Sequence, residues 1–494
     1  MIPLAGRMGT SMKKALALAG AAALAIVVSP AAAHGDARAP RPGPAATCTD
    51  APLTMDFPTA PTLGSSGRIT VTAADGTLAD TIDLADPASS LKTIDGADDA
   101  AGAPHKFHYY PVVISGDTAS ISLHHQLDPG RRYTVSVDAG VFPGFAATSW
   151  TFRTKARTVP PEAHHITVDA SGHGDFCTVQ GAIDAVPFAN RHPVTIDVAP
   201  GTYTEIDWVP TGKNHITVQG AGPGRTVIQY ANNNTLNATS AATGDICPRQ
   251  LIPGHDDLNC WRADFNVEAD DFTIRGLTLH NTTPYQGSQA EAFRGNGDKT
   301  LLDDVHLLSY QDTLRLQGRG YVTRSYIEGD VDFTWGFGAV MIADSELTSM
   351  HAGYITQVRN DATHPGYVFL RDRFTAAAGV ADGSVYLGRI DPNVYPFSQA
   401  VFIDSALGPQ IAPVGWQLNN GACALGQNLQ FWEYGSTDLA GAPIDTSGRL
   451  ACSRQLTTPE AAHWSDPATV LSGWEPACAP GGQPPRGSRA WLRG

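Results

Sequence analysis

The stretch from Ser309 to Gly338 constrains the fold of this chain more than any other segment. It reads SYQDTLRLQGRGYVTRSYIEGDVDFTWGFG and places Asp312 and Asp332 20 residues apart, with β-type residues and glycines between them. In a fold of stacked coils one coil takes roughly 20 to 30 residues, so this spacing brings both aspartates side by side. Two carboxylates held together away from water do not both ionise easily, so their pKa values separate. The spacing predicts one carboxylate that serves as base or nucleophile and one carboxylic acid.

Aspartates between glycines are most often turn formers, and this structural interpretation competes with the chemical one. Here Gln311 precedes Asp312, and Phe333 and Trp335 follow Asp332 closely. Aromatic neighbours would place Asp332 against an apolar wall, which is an unusual environment for a turn residue. The surroundings therefore favour a chemical role for the pair.

Four segments resemble the signature motifs of pectin methylesterases and occur in that family's order. They are SQAEAFR at 288–294, QDTL at 311–314, GDVDFTWG at 329–336 and YLGR at 386–389. One such motif alone is a weak signal, but four in order within about 100 residues are specific. The resemblance extends over residues 164 to about 435 and implies a right-handed parallel β-helix. It does not include the first 155 residues.

The composition is typical of a turn-rich β protein. Of 494 residues 16% are charged, whereas Gly (50) and Pro (35) are plentiful. The net charge of −15 argues against nucleic acid as a partner, because nucleic acid binds to basic surfaces. It also disfavours a strongly anionic polymer, unless the site is locally basic or the acids of the polymer are esterified.

The amino terminus has the features of a secretory signal peptide. Lys13 and Lys14 precede an apolar run over 15–28, and small residues follow up to Ala33. We predict a signal peptide over residues 1–33, a flexible leader over 34–46, and a secreted protein, extracellular or periplasmic. The apolar run is too short to span a bilayer and no second long run follows it, so no membrane partner is expected.

The seven cysteines are widely spaced and form no C-x-x-C pair, which disfavours a zinc ribbon or a thioredoxin-type site. Export makes disulfides possible. Proximity along the chain suggests that Cys247 pairs with Cys260 and that Cys423 pairs with Cys452. Cys48, Cys177 and Cys478 then remain, which is an odd number. At least one of these three thiols therefore stays free or pairs elsewhere.

Residues 47–155 are predicted to form a small β-sandwich. Short segments of alternating polar and apolar residues run through this part of the chain, as at 133–137, and Gly116-Asp117 marks a hairpin turn. The segment resembles the immunoglobulin-like modules of bacterial secreted proteins. A spacer that stabilises or positions its neighbour is favoured over a carbohydrate-binding role. Residues 156–163 are interpreted as a linker.

Residues 164–478 are predicted to form the catalytic domain. An amphipathic helix over 174–187 is expected to cover the open end of a β-helix. Strand-like runs follow at intervals of roughly 18 to 22 residues, the shortest from Val322 to Val340, with no αβ alternation. The tail over 479–494 is expected to be disordered. The predicted fold class is all-β, a right-handed parallel β-helix preceded by a small β-sandwich.

The resemblance implies an aspartyl esterase that needs neither metal nor cofactor. Asp332 attacks the methyl ester carbonyl, while Asp312 gives a proton to the leaving methanol and later takes one from water. Gln311 and Gln289 donate amide hydrogens to the oxyanion, and Arg389 holds Asp332 by a charge-assisted hydrogen bond. The sequence has no G-x-S-x-G elbow, which disfavours a serine hydrolase of that type. The implied partner is pectin, a methyl-esterified polygalacturonate, and a monomer is expected.

Two positions depart from the family pattern and concern the substrate. LGRIDP at 387–392 places Asp391 where the family has a tryptophan that supports a sugar ring, and a carboxylate there repels de-esterified galacturonate. Arg315 stands where an aromatic residue usually follows QDTL. Phe333 and Trp335 remain as candidate sugar-facing aromatics. These four residues form the predicted substrate-binding set.

Three other functions stay open on the sequence alone. Asp391 and Arg315 motivate an esterase or thioesterase of the same fold that acts on another substrate. The second is a non-catalytic, polysaccharide-binding β-helix, although the intact Gln311, Asp312 and Asp332 argue against it. The third is a glycosidase, which also uses two carboxylates and is revealed by chain shortening rather than methanol release.

Overall fold

The computed structural model describes six ranges of the chain. The predicted signal peptide, the proposed Cys247–Cys260 pair and the tail lie outside them. Within these ranges, no helix combines the length and apolar character needed to cross a membrane. The ranges are 47–98, 104–156, 159–237, 261–420, 422–425 and 428–477.

Nine short strands build the first part of the structure. Two antiparallel sheets have the orders β1-β7-β6 and β3-β2-β8-β9, and β4 pairs with β5 as a separate hairpin. The predicted turn is present, since Ser115 pairs with Thr118 across Gly116-Asp117. Gly116 has a φ of 59°, which tight hairpin turns require. The strands are β1 (Leu53–Asp56), β2 (Arg68–Ala73), β3 (Leu78–Asp83), β4 (Leu91–Asp98), β5 (Pro104–His108), β6 (Val112–Ser115), β7 (Thr118–Ile121), β8 (Arg132–Val137) and β9 (Thr148–Arg153).

The two antiparallel sheets share one hydrophobic core. Alternate residues of β8 are buried, as the sequence pattern predicts, and they contact apolar side chains from the other sheet. Met55 and Ile121 come from one sheet, and Val71, Ile82 and Val135 come from the other. The sheets therefore pack face to face, with one polar surface each toward solvent.

The remaining strands, β10 to β32, are linked by continuous strand pairing. They are β10 (His165–Val168), β11 (Val194–Val198), β12 (Gly201–Thr204), β13 (Asp207–Val209), β14 (Ile216–Gln219), β15 (Thr226–Tyr230), β16 (Phe265–Val267), β17 (Phe272–Asn281), β18 (Phe293–Gly295), β19 (Thr300–Leu308), β20 (Leu314–Leu316), β21 (Gly320–Thr323), β22 (Tyr326–Gly336), β23 (Val340–Ala343), β24 (Glu346–Val358), β25 (Tyr367–Leu370), β26 (Arg373–Ala376), β27 (Val385–Ile390), β28 (Gln399–Ile403), β29 (Ala406–Leu407), β30 (Trp416–Leu418), β31 (Gln430–Tyr434) and β32 (Arg454–Gln455).

Successive coils of this region stack in three parallel ladders. The ladders begin with β10–β11–β14, with β12–β15–β17 and with β13–β16–β18. Parallel pairing of each coil with the next defines a parallel β-helix, so this part of the fold prediction is confirmed. The third ladder continues through β20 into the end of β22, where the two predicted catalytic aspartates lie.

One predicted interval differs from the structure by two residues. The interval from Val322 to Val340 does not join paired positions, because Val322 pairs with Ile342 and Val340 pairs with Gly320. A shift of two residues keeps the same side chains on the same face of a strand. The alternation of apolar residues therefore could not distinguish the two registers.

In the part of the chain that the structure describes, three α-helices pack against the β-helix. The helix α1 (Val179–Ala185) is shorter than the predicted 174–187, and its Val179 and Ile183 belong to the core of the first coils. Two later helices, α2 (Thr458–Trp464) and α3 (Pro467–Val470), were not predicted. They pack on the outer face of the ladder that contains β23, β25 and β28.

Two disulfides are present in the described residues. The predicted pair Cys423–Cys452 forms, and a second bond joins Cys48 to Cys177. The second bond links the segment before β1 to the segment before α1. Asp50 reinforces this link, because its carboxylate accepts hydrogen bonds from the backbone of Cys177 and Thr178.

Replacing both Cys48 and Cys177 by serine is expected to lower the free energy of unfolding by about 2 to 5 kcal/mol. The bond spans 129 residues, and closing so long a loop removes much conformational freedom from the unfolded chain. Calorimetry of the parent and the double variant measures the effect. The matched control replaces Cys423 and Cys452, which are only 29 residues apart and should cost less. Equal stability of parent and Cys48/Cys177 variant would contradict the prediction.

Candidate active site

Three carboxylates occupy equivalent positions on three successive coils. Glu291, Asp312 and Asp332 each stand two residues before a member of one ladder. A backbone hydrogen bond of 3.0 Å from the Asp312 nitrogen to the Val331 oxygen fixes the last two coils against each other. The predicted juxtaposition of Asp312 and Asp332 is therefore observed. The ladder residues that follow the three carboxylates are Phe293, Leu314 and Thr334.

Asp332 is held by Arg389. The Arg389 Nε donates to Asp332 Oδ1 at 2.9 Å, and Nη2 donates to Oδ2 at 2.6 Å. The Arg389 guanidinium also lies 4.4 Å from the centre of the Tyr354 ring, which restricts its movement. Such a paired, charge-assisted contact fixes the orientation of the Asp332 carboxylate.

Asp312 has a different environment. It is only 7% exposed, and its Oδ2 accepts a hydrogen bond of 2.5 Å from Arg262 Nη2. Burial raises the pKa of Asp312 to about 8; the Arg262 charge opposes this rise, and the charges of Glu291 and Asp332 add to it. Asp312 is therefore protonated at neutral pH and able to give a proton.

Both aspartates have left-handed backbone conformations, with φ of 69° at Asp312 and 51° at Asp332. Asp304, Asp344 and Asp404 share this conformation at other corners of the coils. Aspartate tolerates it better than most residues, because its short side chain bonds locally. The left-handed geometry therefore belongs to the coil corner rather than to catalysis.

Gln289 and Gln311 lie on the two coils that carry Glu291 and Asp312, and both are partly exposed. The backbone nitrogen of Ala290 donates to the Gln311 oxygen at 3.1 Å, which keeps the two segments adjacent. The Gln289 Oε1 accepts from Ser288 Oγ at 3.2 Å. The backbone places both glutamines on the coils of the carboxyl pair, and their role as oxyanion donors stays a prediction.

Three of the predicted substrate-binding residues are not accessible to a sugar. Phe333 is fully buried in the β-helix core, so its predicted sugar-facing role is wrong. Trp335 and Arg315 are 2% and 1% exposed, and the same prediction is wrong for them. Trp335 pairs with Arg315 across the ladder, and the two side chains cover each other.

A group of arginines surrounds the indole ring of Trp335. The guanidinium carbons of Arg315, Arg359 and Arg262 lie 4.3, 4.7 and 5.6 Å from its ring centre. Arginine packs well against the electron-rich face of an indole. The Arg315 guanidinium therefore packs against the Trp335 ring, at the position where the resemblance leads one to expect an aromatic residue.

Asp391 acts locally in a turn. Its Oδ1 accepts hydrogen bonds of 3.0 Å from the backbone nitrogen and the side chain of Asn393. Its Oδ2 accepts one of 3.3 Å from Asn420. These bonds lower the pKa of Asp391 and keep its charge on the turn. The structure gives Asp391 a turn-forming role, and a contact with substrate stays a prediction.

The sequence interpretation missed several residues near the carboxyl pair. Arg262 and Glu291 form a buried ion pair beneath Asp312, and Tyr354 lies under Arg389. Only Glu291 had a usable signal, since it precedes Phe293 as Asp312 precedes Leu314. The others are distant in sequence and are brought together only by the coiling.

A carboxyl pair and a guanidinium held together on a parallel β-helix fit a hydrolase of carboxylic esters. Comparison with known proteins agrees, because the Pectinesterase family matches residues 165–465. Pectinesterase 31 from Arabidopsis thaliana is 33% identical over 302 residues, which are 60% of this chain and 90% of that protein. The chain therefore belongs to the pectinesterase family.

Solved structures show the same likeness. Pectin methylesterase from carrot is 26% identical, with a TM-score of 0.52 over 65% of this chain and 95% of that chain. Pectin methylesterase PemA from Erwinia chrysanthemi is 25% identical, with a TM-score of 0.51 over 65% of this chain and 100% of that chain. Both likenesses leave about a third of this chain unmatched.

Proposed function

We propose that this protein de-methylesterifies pectin, releasing methanol and free galacturonate, with Asp332 as the nucleophile. The observation that carries the proposal is the contrast between two neighbouring carboxyl groups. Asp332 is paired with Arg389, whereas burial raises the pKa of Asp312 to about 8, so that Asp312 carries its proton at neutral pH. Two acids whose environments separate their protonation states mark the base or nucleophile and the acid.

In the first half of the reaction, an Asp332 oxygen attacks the carbonyl carbon of the methyl ester. The carbonyl oxygen becomes negative, and the amides of Gln289 and Gln311 donate hydrogen bonds to it. The bond to the methoxy oxygen then breaks, and Asp312 transfers its proton to that oxygen. Methanol leaves, Asp312 becomes a carboxylate, and the galacturonate acyl group is attached to Asp332 as an anhydride.

In the second half, water attacks the galacturonate carbonyl carbon of the anhydride. Asp312, now a carboxylate, removes a proton from this water, and the two amides again stabilise the oxyanion. The bond to the Asp332 oxygen breaks, which restores the Asp332 carboxylate and frees the galacturonic acid group, whose remaining proton passes to solvent. Arg389 favours this step because it stabilises the charge that returns to Asp332.

Methanol release from highly esterified pectin, measured by gas chromatography, tests the proposed function directly. We expect methanol and new free carboxylates in equal amounts, with no change in the length of the polymer. Cleavage of acyl thioesters with pectin inert would favour a different substrate, and chain shortening would favour a glycosidase. Binding of polygalacturonate without turnover would favour the non-catalytic alternative.

Replacing Gln311 by alanine is expected to lower turnover by roughly 100- to 1000-fold, because one oxyanion donor is lost. The Michaelis constant should change little, since the donor acts mainly on charge that develops in the transition state. Methanol release under saturating pectin measures the effect. Gln229→Ala on β15, a second partly exposed glutamine, is the matched control. Equal losses in both variants would assign the effect to folding.

We also propose the arrangement of the whole chain. Residues 47–155 form an immunoglobulin-like β-sandwich that acts as a spacer, 156–163 form a linker, and 164–478 form the right-handed catalytic β-helix. The two face-to-face sheets and their shared core support the first assignment. The signal-like residues 1–33 support secretion, and pectin, an extracellular polymer, is the proposed partner of a monomer.

A further inference from the structure

Arg262 lies between two carboxyl groups of successive coils. Its Nη2 donates to Glu291 Oε1 at 2.8 Å and to Asp312 Oδ2 at 2.5 Å. Its Nε donates to Glu291 Oε2 at 2.8 Å, so the contact with Glu291 is bidentate. The Arg262 side chain is 4% exposed and that of Glu291 is 0% exposed. The pair is therefore sealed beneath the proposed acid and does not reach the substrate.

We propose that Arg262 and Glu291 are positioning residues that fix the Asp312 carboxyl group while leaving it able to carry its proton. This inference rests on the proposed function, in which Asp312 is the acid and then the base. A guanidinium with no second partner would stabilise the Asp312 carboxylate and drive off the proton. Glu291 balances that charge, so Arg262 supplies a hydrogen bond without an uncompensated positive charge.

Two ion pairs, one further arginine and one further acid determine the charge around Asp312. Arg389 is paired with Asp332, and Arg262 is paired with Glu291. Arg359 is the additional positive charge, and it opposes the rise in the pKa of Asp312. A further acid is Asp264, whose pKa is raised by burial and, less, by the Glu291 charge. Loss of either member of the Arg262–Glu291 pair therefore changes the charge that Asp312 senses.

The balance matters because Asp312 works in both directions. The first half-reaction needs its proton, and the second needs its carboxylate. A catalytic group of this kind is most effective when its pKa lies near the working pH. Arg262 without Glu291 would favour the second half at the expense of the first, and removal of Arg262 would do the opposite.

The test measures the alkaline limb of kcat/KM for methanol release in two single variants and their combination. Glu291→Gln is expected to move the limb to lower pH by about one unit, because the Arg262 charge then acts on Asp312 alone. Arg262→Gln is expected to move it to higher pH by about one unit. In the double variant the shifts should largely cancel, as expected of residues that act through each other.

Glu433→Gln is the matched control, because Glu433 on β31 forms a comparably buried, bidentate pair with Arg449. It should lower stability without moving the limb. Arg262→Lys keeps the charge and serves if Arg262→Gln does not fold; its limb should stay close to that of the parent. An unchanged limb in Glu291→Gln, or shifts in the same direction for Glu291→Gln and Arg262→Gln, would overturn the proposal.

A second readout separates this proposal from the proposed function. Carbon-13 NMR of carboxyl-labelled aspartate, assigned by the signal missing in Asp312→Asn, reports the titration of Asp312 without turnover. A protein that releases no methanol would refute the proposed function and would still show the two opposite shifts. A protein that releases methanol but shows no shift in the Asp312 titration would refute the role of the pair alone.

Discussion

Asp332→Asn should lower turnover on methyl-esterified pectin by roughly 10⁴-fold or more, in line with the loss of a catalytic nucleophile elsewhere. The amide keeps the size of the carboxyl group and tolerates the left-handed conformation of this position. It cannot attack an ester at a useful rate, and it loses the charge that Arg389 faces at 2.6 Å. Methanol release over long incubations measures the residual activity.

The chain offers a closely matched control for this variant. Asp344 has a φ of 54° and pairs with Arg371 through two hydrogen bonds of 2.8 and 2.7 Å. Asp344→Asn therefore removes the same kind of contact at a coil corner that carries no candidate catalytic group. It should keep most of the activity. Comparable turnover in Asp332→Asn and Asp344→Asn would remove Asp332 from the role of nucleophile.

The sequence was most informative about distances along the coil. A spacing of 20 residues between Asp312 and Asp332 matches the coil length observed between Leu302 and Val322. Coil length is set by the backbone repeat, so it can be inferred from apolar spacing alone. For this reason the spacing was enough to predict that the two aspartates and the neighbouring amide lie together.

The direction of individual side chains was harder to infer. Phe333 and Trp335 follow Asp332 closely and were predicted as sugar-facing aromatics, and strand alternation places both on one face. Phe333 instead lies in the core, directly after the left-handed Asp332 and in a strand whose register is irregular. Such a break in the regular strand geometry changes the side of the sheet on which the next side chains lie. The order of apolar and polar residues in the sequence does not reveal it.

Contacts between distant segments were not predictable. Arg262 is 50 residues from Asp312 along the chain, and Cys48 is 129 residues from Cys177. Proximity in the sequence says nothing about such pairs. The helix α2 did have a signal, since Thr457 and Glu460 form a capping box, but the helix is only seven residues long.

The local charges of the site bear on the composition. A chain with a net charge of −15 is poorly suited to a polymer of galacturonate, unless its site is locally basic or the acids of the polymer are esterified. Arg389 is paired with Asp332, and Arg262 is paired with Glu291, so these guanidiniums balance local acids. Esterified rather than free galacturonate is therefore the expected ligand.

The pH dependence of the enzyme should follow the protonation of Asp312. Burial raises its pKa to about 8, so its proton is present below that pH and lost above it. We expect kcat/KM for methanol release to fall above about pH 8, because the leaving methanol then receives no proton. The free energy of unfolding should change with pH in the same direction. The folded state binds the Asp312 proton more tightly than the unfolded chain does. This contribution to stability is therefore complete below the ordinary carboxyl pKa and is lost as the pH rises through the pKa of the folded state.

Asp312→Asn should remove this alkaline limb and lower turnover by roughly 100- to 10⁴-fold, the range typical for loss of a general acid and base. The variant keeps an acceptor oxygen for Arg262, whose Nη2 lies 2.5 Å from the Asp312 carboxyl oxygen, so the coil should remain intact. Rates measured over the neutral and alkaline range on esterified pectin, beside those of Asp344→Asn, separate the two effects. If the limb near pH 8 persisted in Asp312→Asn, another group would have to donate the proton, and the assignment of Asp312 as the acid beside the nucleophile Asp332 would be wrong.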